Sequence, residues 1–354
     1  MSPLKNQAEL GPPGTDSSPG SWSEAGPAHI FNVRSKLTLA CWGLASLLLG
    51  AGCQSAPSDK AGDTWPRYQL TAAQTWQINL PEGKRFDASA LAFATNGDLL
   101  TLSDQNPGIY RISLQANSSS ADLIPLPRCF TPGQLAPFAA EKIDRYDCEG
   151  LAVDAAGRIY VSEEANRWIL RLDPFTGKLE RLPIDFSPVQ KYFDPSDRNA
   201  SFEGVAVHDH TLYVANERKK GRIIVVDLNT MKVVDDFCPR PGNQPWFDVH
   251  FSDLSWHNGY LYALLREAWV ILKLDPATHA ILAEYNYQAM EDDPRHAYHK
   301  VYFFVGVMEG LALDDHNFWL VTDNNGLGRV ANPQDRRPTL FKCPRPDIAT
   351  GVKP

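Results

Sequence analysis

Five stretches of this chain repeat one pattern, and repetition at such a period admits very few folds. One copy reads Glu149-Gly150-Leu151-Ala152-Val153, a turn from Asp154 to Arg158, Ile159-Tyr160-Val161, then Ile169-Leu170-Arg171-Leu172-Asp173. The next reads Glu203-Gly204-Val205-Ala206-Val207, His208-Asp209-His210, Leu212-Tyr213-Val214, then Ile223 to Asp227. A fourth carries Asp253-Leu254-Ser255-Trp256 with Leu261-Tyr262-Ala263, and a fifth runs from Glu309-Gly310-Leu311-Ala312-Leu313 to Phe318-Trp319-Leu320. The first and most divergent is Ser89-Ala90-Leu91-Ala92-Phe93 with Asn96-Gly97-Asp98 and Leu99 to Leu102. The copies start at 89, 149, 203, 253 and 309, a period of 50 to 60 residues.

Each unit reads as an apolar strand, a turn bearing Gly, Asn or Asp, a second strand, a polar loop and a third alternating strand. A fourth strand is expected at Asp122 to Leu126, Lys178 to Ile184, Lys232 to Phe237, Ala280 to Tyr285 and Thr339 to Lys342. Four antiparallel strands repeated radially close into a β-propeller, which leaves few exposed edges. The expected class is therefore all-β, a propeller with five readable four-stranded repeats, five or six blades in all, over residues 66–350. A parallel β-helix is excluded because its coils are shorter and need no hairpin turns. The stretch from Tyr68 to Leu80, ahead of the first repeat, is expected to supply a strand that closes the ring with the C-terminal segment.

Residues 1–53 read as an N-terminal extension and signal peptide. Arg34 and Lys36 precede an apolar run from Leu37 to Gly52, the length of a signal-peptide core and short for a membrane span. The run ends in Leu49-Gly50-Ala51-Gly52-Cys53, which resembles a bacterial lipobox and marks Cys53 as the residue to be lipidated. Residues 1–32 are long and acidic for a signal n-region, so translation is expected to start near Val33. Gln54, rather than Asp, follows the cysteine; in the lipoproteins this resembles, that favours the outer membrane. Residues 54–65, rich in Ser, Pro, Asp and Gly, read as a tether. The expected location is thus the cell envelope, lipid-anchored, with the membrane as one partner and the protein a monomer.

The net charge of −8, with no Lys/Arg-rich run, excludes a nucleic-acid partner. Small molecules, cations and envelope proteins remain. Four cysteines follow the signal segment, Cys129, Cys148, Cys238 and Cys343. In an exported chain they suggest disulfides, with Cys129 to Cys148 the favoured pairing and four unpaired thiols the alternative. No Cys/His spacing points to zinc.

In a four-stranded blade the start of the innermost strand shares a face with the loop between the second and third strands. Glu149, Glu203, Asp253 and Glu309 hold equivalent places in the repeat, so they are expected to converge on one mouth of the central channel. Loops on that face add Asp104, Glu163, Glu164, Asn216, Glu217, Glu267, Asp323 and Asn324. An all-oxygen set suits calcium or magnesium. The alternative is that each carboxylate caps backbone amides of a neighbouring blade, and the two roles can coexist.

The Glu-Gly-Leu/Val-Ala-Val/Leu units, Gly157-Arg158-Ile159-Tyr160-Val161-Ser162-Glu163, and Ser103-Asp104 resemble the bacterial phytase-like family with esterase-like activity. The resemblance covers roughly residues 85 to 330. It implies Glu149, Glu203 and Glu309 as ligands of a divalent cation, Ca2+ for preference; Asp253 lacks the following Gly and departs from the pattern.

For a hydrolytic site, His250 is the candidate base, with His296 and His299 behind it, and Arg266 or Arg167 would stabilise developing negative charge. No Gly-x-Ser-x-Gly elbow, phosphate loop, His-Glu-x-x-His or EF-hand loop occurs. Two functions therefore compete: a divalent-cation-dependent hydrolase of small esters or phosphoesters, and a non-catalytic propeller, with structural calcium or no metal, that binds a ligand or an envelope protein through Trp246, Trp256 and Trp269 as its recognition surface.

Overall fold

The computed structural model describes residues 65–139, 146–197, 200–218, 221–241, 250–300 and 306–349. Cys53, the tether up to residue 64, and Trp246 lie outside them. Among the described residues no helix is long and apolar enough to cross a membrane.

The repeats fold as five blades. Two short strands, β1 (Arg67–Gln69) and β2 (Gln74–Ile78), come first. Blade 1 is β3 (Ala88–Phe93), β4 (Leu99–Ser103), β5 (Asn106–Leu114) and β6 (Ser120–Pro125). Blade 2 is β7 (Cys148–Val153), β8 (Ile159–Glu163), β9 (Trp168–Asp173) and β10 (Lys178–Arg181). Blade 3 is β11 (Phe202–His208), β12 (Thr211–Asn216), β13 (Arg222–Asp227) and β14 (Lys232–Phe237). Blade 4 is β15 (Phe251–His257), β16 (Tyr260–Leu265), β17 (Val270–Leu274) and β18 (Ile281–Asn286). Blade 5 takes β19 (Met308–Leu313), β20 (Asn317–Thr322) and β21 (Thr339–Pro344) from the C-terminal end of the chain.

The fourth strand of blade 5 comes from the other end. Strand β2 lies antiparallel to β21, with Trp76 opposite Leu340, so the N-terminal segment completes the last blade. The closing strand expected between Tyr68 and Leu80 is therefore present. Thr339 to Lys342, expected as a fourth strand, pairs directly with β20 and is the third. Strand β1 adds a parallel fifth strand to the outside of blade 4.

The core is divided among the gaps between blades. Leu102 and Ile109 of blade 1 pack with Leu151 and Leu170 of blade 2. Tyr160 and Ile169 meet Val205 and Ile224 across the second gap, and Tyr213 and Ile223 meet Leu254 and Val270 across the third. Tyr262 and Tyr285 pack on Leu311 and Phe318 in the fourth. Trp319 and Val321 of blade 5 then pack on Leu91 and Leu99 of blade 1, so the ring closes at five. The period-2 alternation of each strand gives one face to each neighbouring gap, which is why the strands read as almost wholly apolar.

Turn chemistry fits this plan. Gly97, Gly157 and Gly259 sit at φ of 86°, 80° and 84° in the hairpins between first and second strands. Only glycine enters that region without steric cost. In blade 2 the Oδ1 atom of Asp154 also accepts the amides of Ala156 and Arg158 at 3.0 and 2.9 Å.

The expected Cys129–Cys148 disulfide is absent. Both are free thiols, as is Cys343. Cys148 is buried in the gap between blades 1 and 2, with Cys129 packed against the same cluster. Apolar packing already fixes that region without a crosslink.

Candidate functional site: a carboxylate-lined channel mouth

Each innermost strand carries an irregularity near its start, where the register against the second strand shifts. A bulge of this kind re-aims a side chain out of the ladder. The residue in that place is Ser89, Glu149, Glu203, Ser252 and Glu309 in blades 1 to 5.

Asp253 is therefore not the counterpart of the three glutamates. It pairs with Leu264, as Gly150 pairs with Ser162 and Gly310 with Val321. The sequence spacing is out by one residue because blade 4 has serine at the bulge and an acid where the other blades have a small residue. Asp253 is fully buried. Its Oδ2 accepts the amides of Leu311 (2.7 Å) and Leu91 (3.4 Å), and its Oδ1 that of Leu254 (2.8 Å). The side chain thus caps the innermost strands of three blades.

A second set of equivalent positions follows the second strand of each blade: Asp104, Glu164, Glu217, Arg266 and Asp323. Four blades place a carboxylate there, and blade 4 places a guanidinium. The loop carboxylates and the bulge glutamates come together in three groups, with ligand atoms within 4.8 Å of one another: Asp87 with Asp104 and Asp323, Asp104 with Asp147 and Glu149, and Glu164 with Glu203 and Glu217. Asp104 belongs to two groups, so blades 5, 1 and 2 share one continuous patch. Asp87 and Asp147 had not been singled out in the sequence. Both stand two residues before the bulge position, just outside the repeat, and that shared offset is the signal for them.

Among the described residues, Arg85, Arg218 and Arg266 here are already engaged. Arg85 pairs with Asp87 and Arg218 with Glu217. Arg266 spends each nitrogen on a different carboxylate: Nε on Glu267 at 3.0 Å, Nη2 on Glu217 at 3.1 Å, and Nη1 on Glu309. Glu267 also meets Nδ1 of His250 at 2.9 Å. His250, Arg266 and Glu267 thus form one connected cluster on blade 4.

Burial, reinforced by neighbouring acids, distorts the protonation of the mouth. Burial and then the charge of Asp87 push Asp104 up to about 7. Burial holds Glu149 well above the usual carboxylate range, followed by the charge of Asp104. Glu164 and Glu203 are raised by burial and then by Glu217, and Asp323 by burial and then Asp87. Glu267 goes the other way. Burial opposes its ionisation, but Arg266 and the His250 hydrogen bond hold it at about 2.

Over residues 84–326 the chain matches the model of the family described as Phytase-like: Esterase-like activity of phytase. The chain belongs to the phytase-like family. Among solved structures it is similar to glutaminyl cyclase of Myxococcus xanthus, at 13% identity and a TM-score of 0.53, with 79% of this chain and 97% of that one covered. Virginiamycin B lyase of Staphylococcus aureus is more distant, at 13% identity and a TM-score of 0.36, covering 72% and 66%. At such identities the cyclase shares the fold alone. No curated protein matches.

In this phytase-like chain the expected mouth residues divide into two kinds. Glu163 turns into its own blade, accepting the amides of Asp147 (3.2 Å) and Asn166 (2.9 Å). Glu164 lends one oxygen to the amide of Ser201 in blade 3, at 3.1 Å, while its carboxylate also faces Glu203 and Glu217. Asn216 and Asn324 are wholly buried, each with its amide nitrogen on a backbone carbonyl and its Oδ1 without a hydrogen-bond partner among the described residues. Asp104 likewise has a buried Oδ1 that accepts no hydrogen bond from the described residues.

An all-oxygen donor set with orphaned acceptors and crowded carboxylates, whose ionisation burial opposes, fits a hard divalent ion such as Ca2+. Other expectations of the phytase-like chain fall elsewhere. Arg167 donates to the carbonyls of Asp194 and Asp197 and lies over Phe193, outside the carboxylate groups. His296 packs on Phe341, and the backbone amide of His299 bonds Gly328. Trp256 stacks on His208 and Tyr213 at the far end of its hairpin, while Trp269 hydrogen-bonds Glu291 in the loop on the mouth side. These two tryptophans do not share a surface.

Proposed function

We propose that the protein is a divalent-cation-dependent hydrolase of small esters or phosphoesters, held at the cell envelope by lipid on Cys53 and working at the carboxylate-lined mouth. The observation that carries this reading is the convergence of Asp87, Asp104, Asp147, Glu149 and Asp323 from three blades, with Oδ1 of Asp104 buried and unpartnered among the described residues. These residues, with Glu164 and Glu203, would hold Ca2+, which when bound supplies charge that polarises a phosphoryl or carbonyl oxygen.

The chain's own groups do the rest. Glu267, ionised throughout the ordinary pH range, fixes the ring of His250 through Nδ1. An imidazole oriented by a carboxylate is suited to take a proton from water. Arg266 holds Glu217, Glu267 and Glu309 in place, and with its donors committed it does not clamp an anionic group. That same commitment favours the competing reading, a propeller that binds a ligand or an envelope protein around structural calcium.

The test is turnover of uncharged aryl esters, lactones and aryl phosphoesters with and without a calcium chelator, beside His250→Ala. Chelator-sensitive hydrolysis that His250→Ala loses while still binding calcium supports the hydrolase. Calcium binding with no turnover of any of these substrates assigns the mouth to binding.

A further inference from the structure

The mouth departs from fivefold symmetry at blade 4, and the departure has a consistent sign. At the position after the second strand, blades 1, 2, 3 and 5 carry Asp104, Glu164, Glu217 and Asp323, and blade 4 carries Arg266. At the bulge, blades 1 and 4 have serine, Ser89 and Ser252, where blades 2, 3 and 5 have glutamate, but blade 1 keeps Asp104 after its second strand. Blade 4 therefore removes a carboxylate at both positions and adds a fixed positive charge.

That charge lies among acids from three successive blades: Glu217 of blade 3, Glu267 of blade 4 and Glu309 of blade 5. All three are buried, and the Arg266 side chain is only 18% exposed. Buried carboxylates in such proximity need a cation or a proton among them. In the carboxylate groupings, Arg85 meets Asp87 and Arg218 meets Glu217, one acid each, whereas Arg266 alone among the described residues joins three acids from three blades.

We propose that Arg266 is a built-in cation that takes the place of a divalent ion in the sector between blades 3 and 5. Divalent ions are thereby confined to the groups around Asp104 and to Glu164 and Glu203, since Arg266 and Arg218 hold the two oxygens of Glu217. The inference rests on reading the mouth as a cation site, and it assigns Arg266 a positioning role that sets how many ions bind and where. The planar fork of arginine suits this role, since three carboxylates on different blades each receive a separate nitrogen.

The experiment counts Ca2+ bound per full-length protein by equilibrium dialysis, for the wild type, Arg266→Gln, Arg266→Lys and the double variant Arg266→Gln with Glu309→Gln. The expected result is one additional ion in Arg266→Gln, none in Arg266→Lys, and loss of the additional ion in the double variant. Arg266→Gln should melt below the wild type without calcium and regain the difference in saturating calcium. If it does not fold without calcium, folding in calcium is the expected result, and failure to fold there overturns the proposal. An unchanged ion count in folded Arg266→Gln also overturns it. A wild type that binds no calcium while Arg266→Gln binds one would defeat the reading of the mouth as a native cation site and leave the role of Arg266 standing.

Discussion

Oδ2 of Asp253 accepts the amide of Leu311 at 2.7 Å, tying the innermost strand of blade 4 directly to that of blade 5. The same oxygen reaches the amide of Leu91 in blade 1. Asp253→Ala would leave buried amides on three blades unsatisfied, each costing about 1–3 kcal/mol. Chemical denaturation should show a loss of at least about 3 kcal/mol, with calcium affinity little changed in the protein that remains folded. A variant of wild-type stability with calcium binding abolished would return Asp253 to the role of ligand.

The glycines that follow the bulges are required by the narrowness of the ring. A Cβ on Gly204 would lie 2.3 Å from Cα of Asp253, and one on Gly150 would lie 2.4 Å from the carbonyl oxygen of Glu203. Both obstacles are backbone, which cannot swing aside. Gly204→Ala is predicted to destabilise at the upper end of the roughly 1–3 kcal/mol typical of overpacking. A melting temperature equal to that of the wild type would show that the innermost strands have more room than this.

Ring closure depends on strand β2. Removing residues 1–78 leaves blade 5 with three strands and exposes the edge of β21, an invitation to aggregation. Size-exclusion chromatography should show aggregated or unfolded material. A monomeric protein with native circular dichroism would contradict the closure described here.

Acid should stabilise the calcium-free protein over a defined window. Burial and the charge of Asp87 raise Asp104 from 3.8 to about 7. A group whose pKa is higher when folded contributes stability that is full below its unfolded value and lost as pH rises through its folded value. The melting temperature without calcium should therefore fall as pH rises from about 5 to about 8. Glu267, held at about 2, has the opposite sign, but its contribution is lost only at far lower pH. Saturating calcium should abolish or reverse the decline. A calcium-free melting temperature that rises steadily across this window would show that the mouth carboxylates are not crowded.

The repeat made the architecture legible, because each copy carries both the apolar alternation and the hairpin turn that a blade needs. Strand starts and loops are linked by topology, so the repeat also pointed to Asp104, Glu149, Glu164, Glu203, Glu217 and Asp323, which lie in the three carboxylate groups. The misassignment of Asp253 has a definite cause. A bulge inserts one residue without changing the look of the repeat, so an acid one place later aligns with the glutamates although its side chain points into the ladder of amides. Asp87 and Asp147 were missed because they precede the apolar strand, where nothing periodic marks them. The Cys129–Cys148 pairing failed because nearness in the same gap between blades does not imply bonding.

The most direct test of the central claim is calorimetric titration of the purified protein with Ca2+, beside Asp104→Asn with Glu149→Gln. Binding on the order of micromolar is expected in the wild type, within the range of oxygen-ligated calcium sites. The double variant should lose the calcium held around Asp104 while keeping its fold. A wild type that takes up no calcium, or a double variant that binds it undiminished, would contradict the assignment of a cation site to the mouth.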